Sequence, residues 1–365
     1  MTTSAVKQEK VAGSGTVNFL VGLVIVVVLA FLARWFKDQV YGIKDLFGLG
    51  IPGKVLEFPL WAALLGLIAN PILKGLKVFE YAKPGFRTEL FLKIGLVLLG
   101  AGISFKVIVT AAAGAIIQGI IMVASVYMFS WWLGGKFGLP DTLRAVMSTA
   151  VSICGVSAAI AAAGSVLAKK EEITYVTALV IVTALPLMVI APLIAGAMHM
   201  PEPVAGAWFG GNVDTTAAVV GAGTIYGETA QKIASIVKQT QNVLIGVVAF
   251  LLALYFTTVV EGKKEKPSAS IIWQRFPKFV LGFIIASLIF TFGWLADDPS
   301  NAIKGMKDWA FCLAFVCMGL ELEVSGFKKM GWAPVIVYLI VTVFNTVLAL
   351  GISWLIFGWL FPASL

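Results

Sequence analysis

Charge is scarce in this sequence: 13% of its 365 residues are Asp, Glu, Lys or Arg, against roughly a quarter in soluble domains. Histidine is nearly absent, with His199 alone, and cysteine is limited to Cys154, Cys312 and Cys317. One histidine cannot build a zinc centre or a histidine-based catalytic site, and His199, between Met198 and Pro201 at a helix end, reads as structural. The cysteines lie inside apolar runs without paired spacing, which excludes a disulfide framework and leaves them as small packing residues. Metal-spaced His/Glu clusters, a Ser/His/Asp arrangement and a phosphate-cradling glycine loop are also missing. No catalytic residue, cofactor or metal is expected, and an enzyme is the poorest of the function classes.

What is abundant is apolar sequence, 59% of the chain, with a mean hydropathy of +0.96. No soluble fold hides that much apolar surface. The runs are long and continuous, as membrane helices require, and lack the roughly 10-residue alternation of a membrane β-barrel. The expected fold is all-α, a polytopic transmembrane bundle of about 11 segments near 16–36, 58–74, 90–105, 108–134, 142–168, 173–198, 203–225, 236–260, 277–296, 308–324 and 331–360. A net charge of +8 then reflects basic loops on one face and not nucleic-acid binding. With a cytoplasmic amino terminus, 15 basic residues fall on the inner side and 10 on the outer, as the positive-inside rule asks. The first run lacks a small-residue cleavage site and reads as a retained helix. The expected location is the inner membrane of a cell.

The chain also resembles itself. Phe58-Pro59 opens one span and Gly100 closes the next; Phe276-Pro277 opens another and Gly319 stands at the corresponding place, so the landmarks lie 42 and 43 residues apart. The copies, about 58–134 and 276–358, run in opposite senses, which is the inverted repeat of many secondary transporters.

Two segments depart from the greasy background, 142–168 and 203–225. Each sets glycine beside small hydroxyl residues at mid-span, where glycine weakens the helix, and a broken helix exposes unpaired N–H groups that attract anions. Close helix packing by small residues accounts for the alanine run Ala158–Ala163. It does not account for a mid-membrane carboxylate, which needs a partner or water. The candidate substrate-binding residues are Ser148, Thr149, Ser152, Gly155 and Ser157 on the first segment. On the second they are Gly211, Asn212, Asp214, Thr215 and Thr216, with Lys238 and Gln241 following. Lys238 either snorkels to the interface or supplies positive charge to an anion. Glu321 and Glu323, beside Lys328 and Lys329, read as an interfacial ion pair. Whether the two segments cross the membrane or re-enter is left open, and two reversals are expected to cancel in loop sidedness.

These residues carry a family likeness. S-I-C-G-V-S-A-A-I-A-A (152–162), L-K-I-G-L-V-L-L-G (92–100), G-A-W-F-G (206–210), A-A-V-V-G-A-G (217–223) and I-V-K (236–238) resemble the sulfate exporter family of YeiH-type bacterial inner-membrane proteins. The resemblance implies a multi-pass protein similar in architecture to the cation/proton antiporter and bile-acid symporter superfamily. The chain departs from the family pattern at Asp214, Ala218 and Gln241, where members commonly carry histidine, glutamine and arginine. A less basic site weakens the case for sulfate, since arginine is the better bidentate oxyanion ligand.

The leading expectation is alternating-access transport of a small anion, sulfate- or sulfonate-like or a carboxylate, coupled to H⁺ or Na⁺ through Asp214. The alternative is a cation/proton antiporter, and the position of Lys238 discriminates: near the site it favours an anion, far from it a cation. The lipid bilayer is the one sure partner, and a homo-oligomer is left open.

Overall fold

In hydrocarbon every backbone polar group needs a partner within the chain, so the apolar runs wind into helices. A computed structural model describes residues 14–41, 43, 57–103, 105–260, 278–294, 299–321 and 331–361. In chain order the helices are α1 (Ser14–Tyr41), α2 (Phe58–Gly75), the one-turn α3 (Phe79–Ala82), α4 (Thr88–Gly100), α5 (Phe105–Lys136), α6 (Asp141–Ser152) and α7 (Val156–Val166). There follow α8 (Lys170–Ala197), α9 (Glu202–Asn212), α10 (Thr216–Tyr226), α11 (Glu228–Tyr255), α12 (Phe279–Thr291), α13 (Pro299–Leu320) and α14 (Ala333–Ser353). Helices α11 and α14 run on into π-helical turns over Phe256–Val260 and Trp354–Leu360. Among the described residues there is no strand. Six helices of the described residues, α1, α2, α5, α8, α11 and α14, are long and apolar enough to cross a membrane.

The expected spans shift where polar residues hide a helical turn. Segment 236–260 starts at Glu228 and segment 308–324 starts at Pro299, because both opening turns are polar and read as loop in the sequence. Segments 142–168 and 203–225 are each two helices. Phe276, Pro277, residues 295 and 296, Glu323, Lys328 and Lys329 lie outside the described residues.

Neither broken segment crosses; each is a hairpin that returns to the end it came from. The Thr142 hydroxyl, in the first turn of α6, donates to Glu172 Oε1 in the first turn of α8 at 2.9 Å, so α7 has come back beside the start of α6. Likewise Glu202, at the start of α9, accepts from the Thr229 and Ala230 amides at the start of α11, just after α10 ends. Tyr226, the last residue of α10, donates to the Met200 carbonyl before α9. Between the hairpins α8 runs for 28 residues, about 42 Å at 1.5 Å per residue, so the two hairpins enter from opposite ends of the bundle.

This corrects the expectation about sidedness. Segments after α10 keep their sense, but the loop bearing Lys169 and Lys170 now joins the face of Lys136 and Arg144, which widens the basic excess there.

Glycines allow the second hairpin to lie close against α11. A Cβ added at Gly206 would sit 2.5 Å from the Ala230 carbonyl oxygen, and one at Gly223 would sit 2.6 Å from Gln231 Cα; both are backbone atoms that cannot step aside. A second layer of α1, α2, α4, α12 and α13 packs by the same device. Gly66 of α2 abuts Gly319 of α13, and Gly100 of α4 abuts Phe283 of α12. Thr88 at the start of α4 donates to Glu321, just past the end of α13, at 2.9 Å; the lysines expected to pair with it, Lys328 and Lys329, lie outside the described residues.

Candidate functional site

The chain reverses in the first hairpin at Ile153, Cys154 and Gly155. Gly155 has φ +71° and ψ −112°, a conformation that costs an L-residue strain and glycine nothing. In the second hairpin Val213, Asp214 and Thr215 connect α9 to α10, with Val213 and Thr215 extended, and the Thr215 hydroxyl accepts from the Ala218 amide at 3.1 Å, capping α10. The two tips touch. A Cβ on Gly155 would lie 3.3 Å from Thr215 Cγ2 and 3.4 Å from the Asp214 carbonyl oxygen. Two helix amino termini, those of α7 and α10, therefore open at the middle of the bundle, where their free N–H groups and dipoles favour negative charge.

Long helices bring polar side chains to this junction. Asp214, 1% exposed, accepts at Oδ2 from the Tyr338 hydroxyl of α14 at 2.7 Å and from the Thr183 hydroxyl of α8 at 3.3 Å. Lys238 of α11, 2% exposed, donates to the Ile153 carbonyl at 2.5 Å and to Gln241 Oε1 at 3.1 Å. It thus stands on the first tip and not at an interface. No Lys238–Asp214 ion pair within 4.0 Å forms among the described residues. Asn242 Nδ2 reaches Thr216 Oγ1 at 3.2 Å. Asn212 is held at its carbonyl by Asn345 Nδ2 and at Oδ1 by Thr346, each at 2.8 Å.

What is left over matters most. Asp214 Oδ1, Asn212 Nδ2, Gln241 Nε2, Asn242 Oδ1 and Asn345 Oδ1 are all buried without a hydrogen-bond partner. Buried polar groups are nearly always paired, and each unpaired one costs about 1–3 kcal/mol. Five of them stand around this one junction.

The structure does not gather all the sequence candidates. Gly155, Asn212, Asp214, Thr215, Thr216, Lys238 and Gln241 meet at the tips. Ser148 turns away, its hydroxyl donating to Ser130 of α5 at 2.9 Å. Thr149 and Ser152 spend their hydroxyls on the α6 backbone carbonyls of Ala145 and Thr149. Ser157 donates to Glu89 of α4 at 3.1 Å, and Glu89 also pairs with Lys93 at 3.2 Å. Gly211 lies against Gln118, whose Nε2 would be 2.5 Å from an added Cβ. Thr183, Tyr338 and Asn345 were not foreseen. Each is a polar side chain inside a greasy run, IVTALP, VIVYLI and VFNTV, and that interruption was the signal.

The family model described as conserved hypothetical protein 698 matches residues 21–338. A UPF0324 membrane protein of Nitratidesulfovibrio vulgaris is 37% identical over 97% of this chain and 62% of its own length. One from Rhodopirellula baltica is 34% identical over 96% of this chain and 65% of its own length. The chain thus spans under two thirds of these relatives, whereas a further UPF0324 membrane protein of Nitratidesulfovibrio vulgaris, 27% identical, is covered over 96% of its length. No solved structure matches. With its apolar helices and these relatives, the chain is a multi-pass membrane protein and belongs to the conserved hypothetical protein 698 family.

Proposed function

We propose that this protein is a secondary transporter of the inner membrane that carries a small anion by alternating access, and that the anion binds where the hairpin tips meet. The observation that carries the reading is the junction itself: two hairpins from opposite ends expose two helix amino termini, beside a buried lysine and the unpaired donors Asn212 Nδ2 and Gln241 Nε2. By the criterion set from the sequence, Lys238 at the site favours an anion over a cation. Sulfate, a sulfonate or a carboxylate fits this chemistry, in keeping with the resemblance to the sulfate exporter family. The unpaired oxygens of Asp214, Asn242 and Asn345 suit a coupling H⁺ or Na⁺, and they are also what a cation/proton antiporter would use. Nothing in this reading calls for bond-making chemistry, a cofactor or a nucleic acid.

We also read the fold as an inverted repeat, which suits the same mechanism. Exchanging α2 with α12 and α4 with α13 turns the Gly66–Gly319 contact into the Gly100–Phe283 contact, close to the offset between the sequence landmarks. We extend the proposed exchange to α5 with α14, the first hairpin with the second, and α8 with α11. On this scheme the second half is a circular rearrangement of the first, and the junction lies on the symmetry axis. Proteoliposomes loaded with sulfate, a sulfonate or a carboxylate, with H⁺ or Na⁺ gradients imposed, test the reading. Flux of one anion that Lys238→Met abolishes is the expected result; cation exchange indifferent to every anion would overturn it.

A further inference from the structure

At the end of the bundle where α1 finishes, α2 begins and α10 passes into α11, a cavity of about 320 Å³ lies between the two layers. Arg34 and Lys37 of α1, Glu57 before α2, Thr224, Glu228 and Gln231 around the α10–α11 turn, and Lys304, Lys307 and Asp308 of α13 line it. The transport reading makes no use of these groups.

Two features point to a missing ligand. The Arg34 guanidinium stacks over Trp309 at 4.6 Å, which fixes its plane, yet its Nη1 is buried with no hydrogen-bond partner. A planar, fixed guanidinium with an unused edge is shaped for the two oxygens of a carboxylate or similar oxyanion. Among the described residues, basic groups also outnumber acidic ones. Lys37 pairs with Asp38 at 3.5 Å and Lys307 with Asp308 at 3.2 Å, while Glu228 is shared by Lys232 at 3.0 Å and Lys304 at 3.8 Å. Arg34 faces Glu57 without forming an ion pair among the described residues. Burial pushes the Glu57 carboxyl above its ordinary value against the pull of Lys37, so it is a weak counter-charge. Among the described residues, five cations stand against these four carboxylates.

The cavity is also aligned with the tips. Gln231 accepts from Lys307 Nζ at 3.2 Å and donates to Thr224 at 2.5 Å. It precedes Lys238 by two turns on the same face of α11, about 10 Å along the axis.

We infer that this cavity is a binding site for one small singly charged oxyanionic group, gripped by Arg34 with Lys304 and Lys307 at its rim. Its service as a way-station to the hairpin tips rests on the transport reading; the binding does not. A soluble carboxylate and a lipid headgroup share this chemistry, and the test separates them. The full chain, in uncharged detergent, is melted against sodium acetate at constant ionic strength set with chloride. Saturable stabilisation is expected. Arg34→Gln should weaken it by roughly ten- to a hundredfold, as loss of a charged hydrogen bond does. Lys304→Gln, at a side chain 55% exposed, removes the spare charge without threatening the fold and should weaken it about three- to tenfold. Lys238→Met should leave it within about twofold.

The same melts are repeated in nanodiscs. Stabilisation suppressed by phosphatidylglycerol but not by phosphatidylcholine, in an Arg34-dependent way, assigns the site to a headgroup; acetate stabilisation alike in both assigns it to a soluble anion. Absence of both effects overturns the inference. So does unchanged acetate affinity in Lys304→Gln and Arg34→Gln, or in Lys304→Gln alone if Arg34→Gln does not fold, and so does loss confined to Lys238→Met. Acetate binding without transport sinks only the transport reading, and transport without acetate or headgroup binding sinks only this site.

Discussion

Asp214→Asn separates the coupling role of the second hairpin tip from its structural role. The Tyr338 and Thr183 hydroxyls reach one oxygen of Asp214 at 2.7 and 3.3 Å, and an asparagine keeps that oxygen as an acceptor for both. The substitution replaces Oδ1, which has no partner, so the folded state loses no hydrogen bond and stability should move by less than about 1 kcal/mol. The charge is another matter. One coupling cation carried per cycle with a monovalent anion moves no net charge, so a tenfold cation concentration gradient, about 1.4 kcal/mol, sustains roughly tenfold accumulation of the anion. A neutral amide cannot exchange that cation, so accumulation should collapse to equilibration while exchange at equal concentrations persists. The assay is uptake of labelled anion into proteoliposomes, with and without an imposed gradient, alongside counterflow on the same vesicles. Undiminished gradient-driven accumulation in the Asn variant refutes the assignment of coupling to Asp214. Loss of counterflow together with accumulation assigns Asp214 to anion binding instead.

Gly155→Ala forces a side chain onto φ +71° and sets its Cβ 2.5 Å from Val180 Cγ1; a loss of about 1–3 kcal/mol should appear as a lower melting temperature. Lys238→Met leaves the Ile153 carbonyl and Gln241 Oε1 without their donor, and a tenfold or greater rise in the KM for the anion should exceed any fall in thermal stability. Glu202→Gln weakens the charged cap on the Thr229 and Ala230 amides. It should cost about 1 kcal/mol in a melt while sparing transport.

The sequence showed the helical class and the two weak points, because glycine beside hydroxyl residues is visible in any window around Gly155 or Gly211. It could not show that the segments turn back. A reversal and a mere kink use the same residues, and the contacts that distinguish them, Thr142 with Glu172 and Glu202 with Thr229, join different segments. Ser148 and Ser157 were read into the site because they share its composition, but the direction of a side chain depends on the helical phase on its own side of the break. Tyr338 escaped notice for the opposite reason. Its hydroxyl is a lone interruption of a long apolar run, and only the neighbour that the fold supplies, Asp214, reveals it as a ligand.

The order of synthesis gives the hairpins one last consequence. Ile153 leaves the ribosome 85 residues before Lys238, and Asp214 leaves 124 residues before Tyr338. Neither tip can be satisfied when it is made, and neither hairpin is long enough to cross the bilayer on its own. Both must wait at the membrane surface, or beneath a sheath of earlier helices, until α11 and α14 arrive. The junction is therefore the last part of the molecule to be assembled, and a chain cut short before α14 leaves the carboxylate of Asp214 without its tyrosine, a lesion that membrane quality control can read as an unfinished protein.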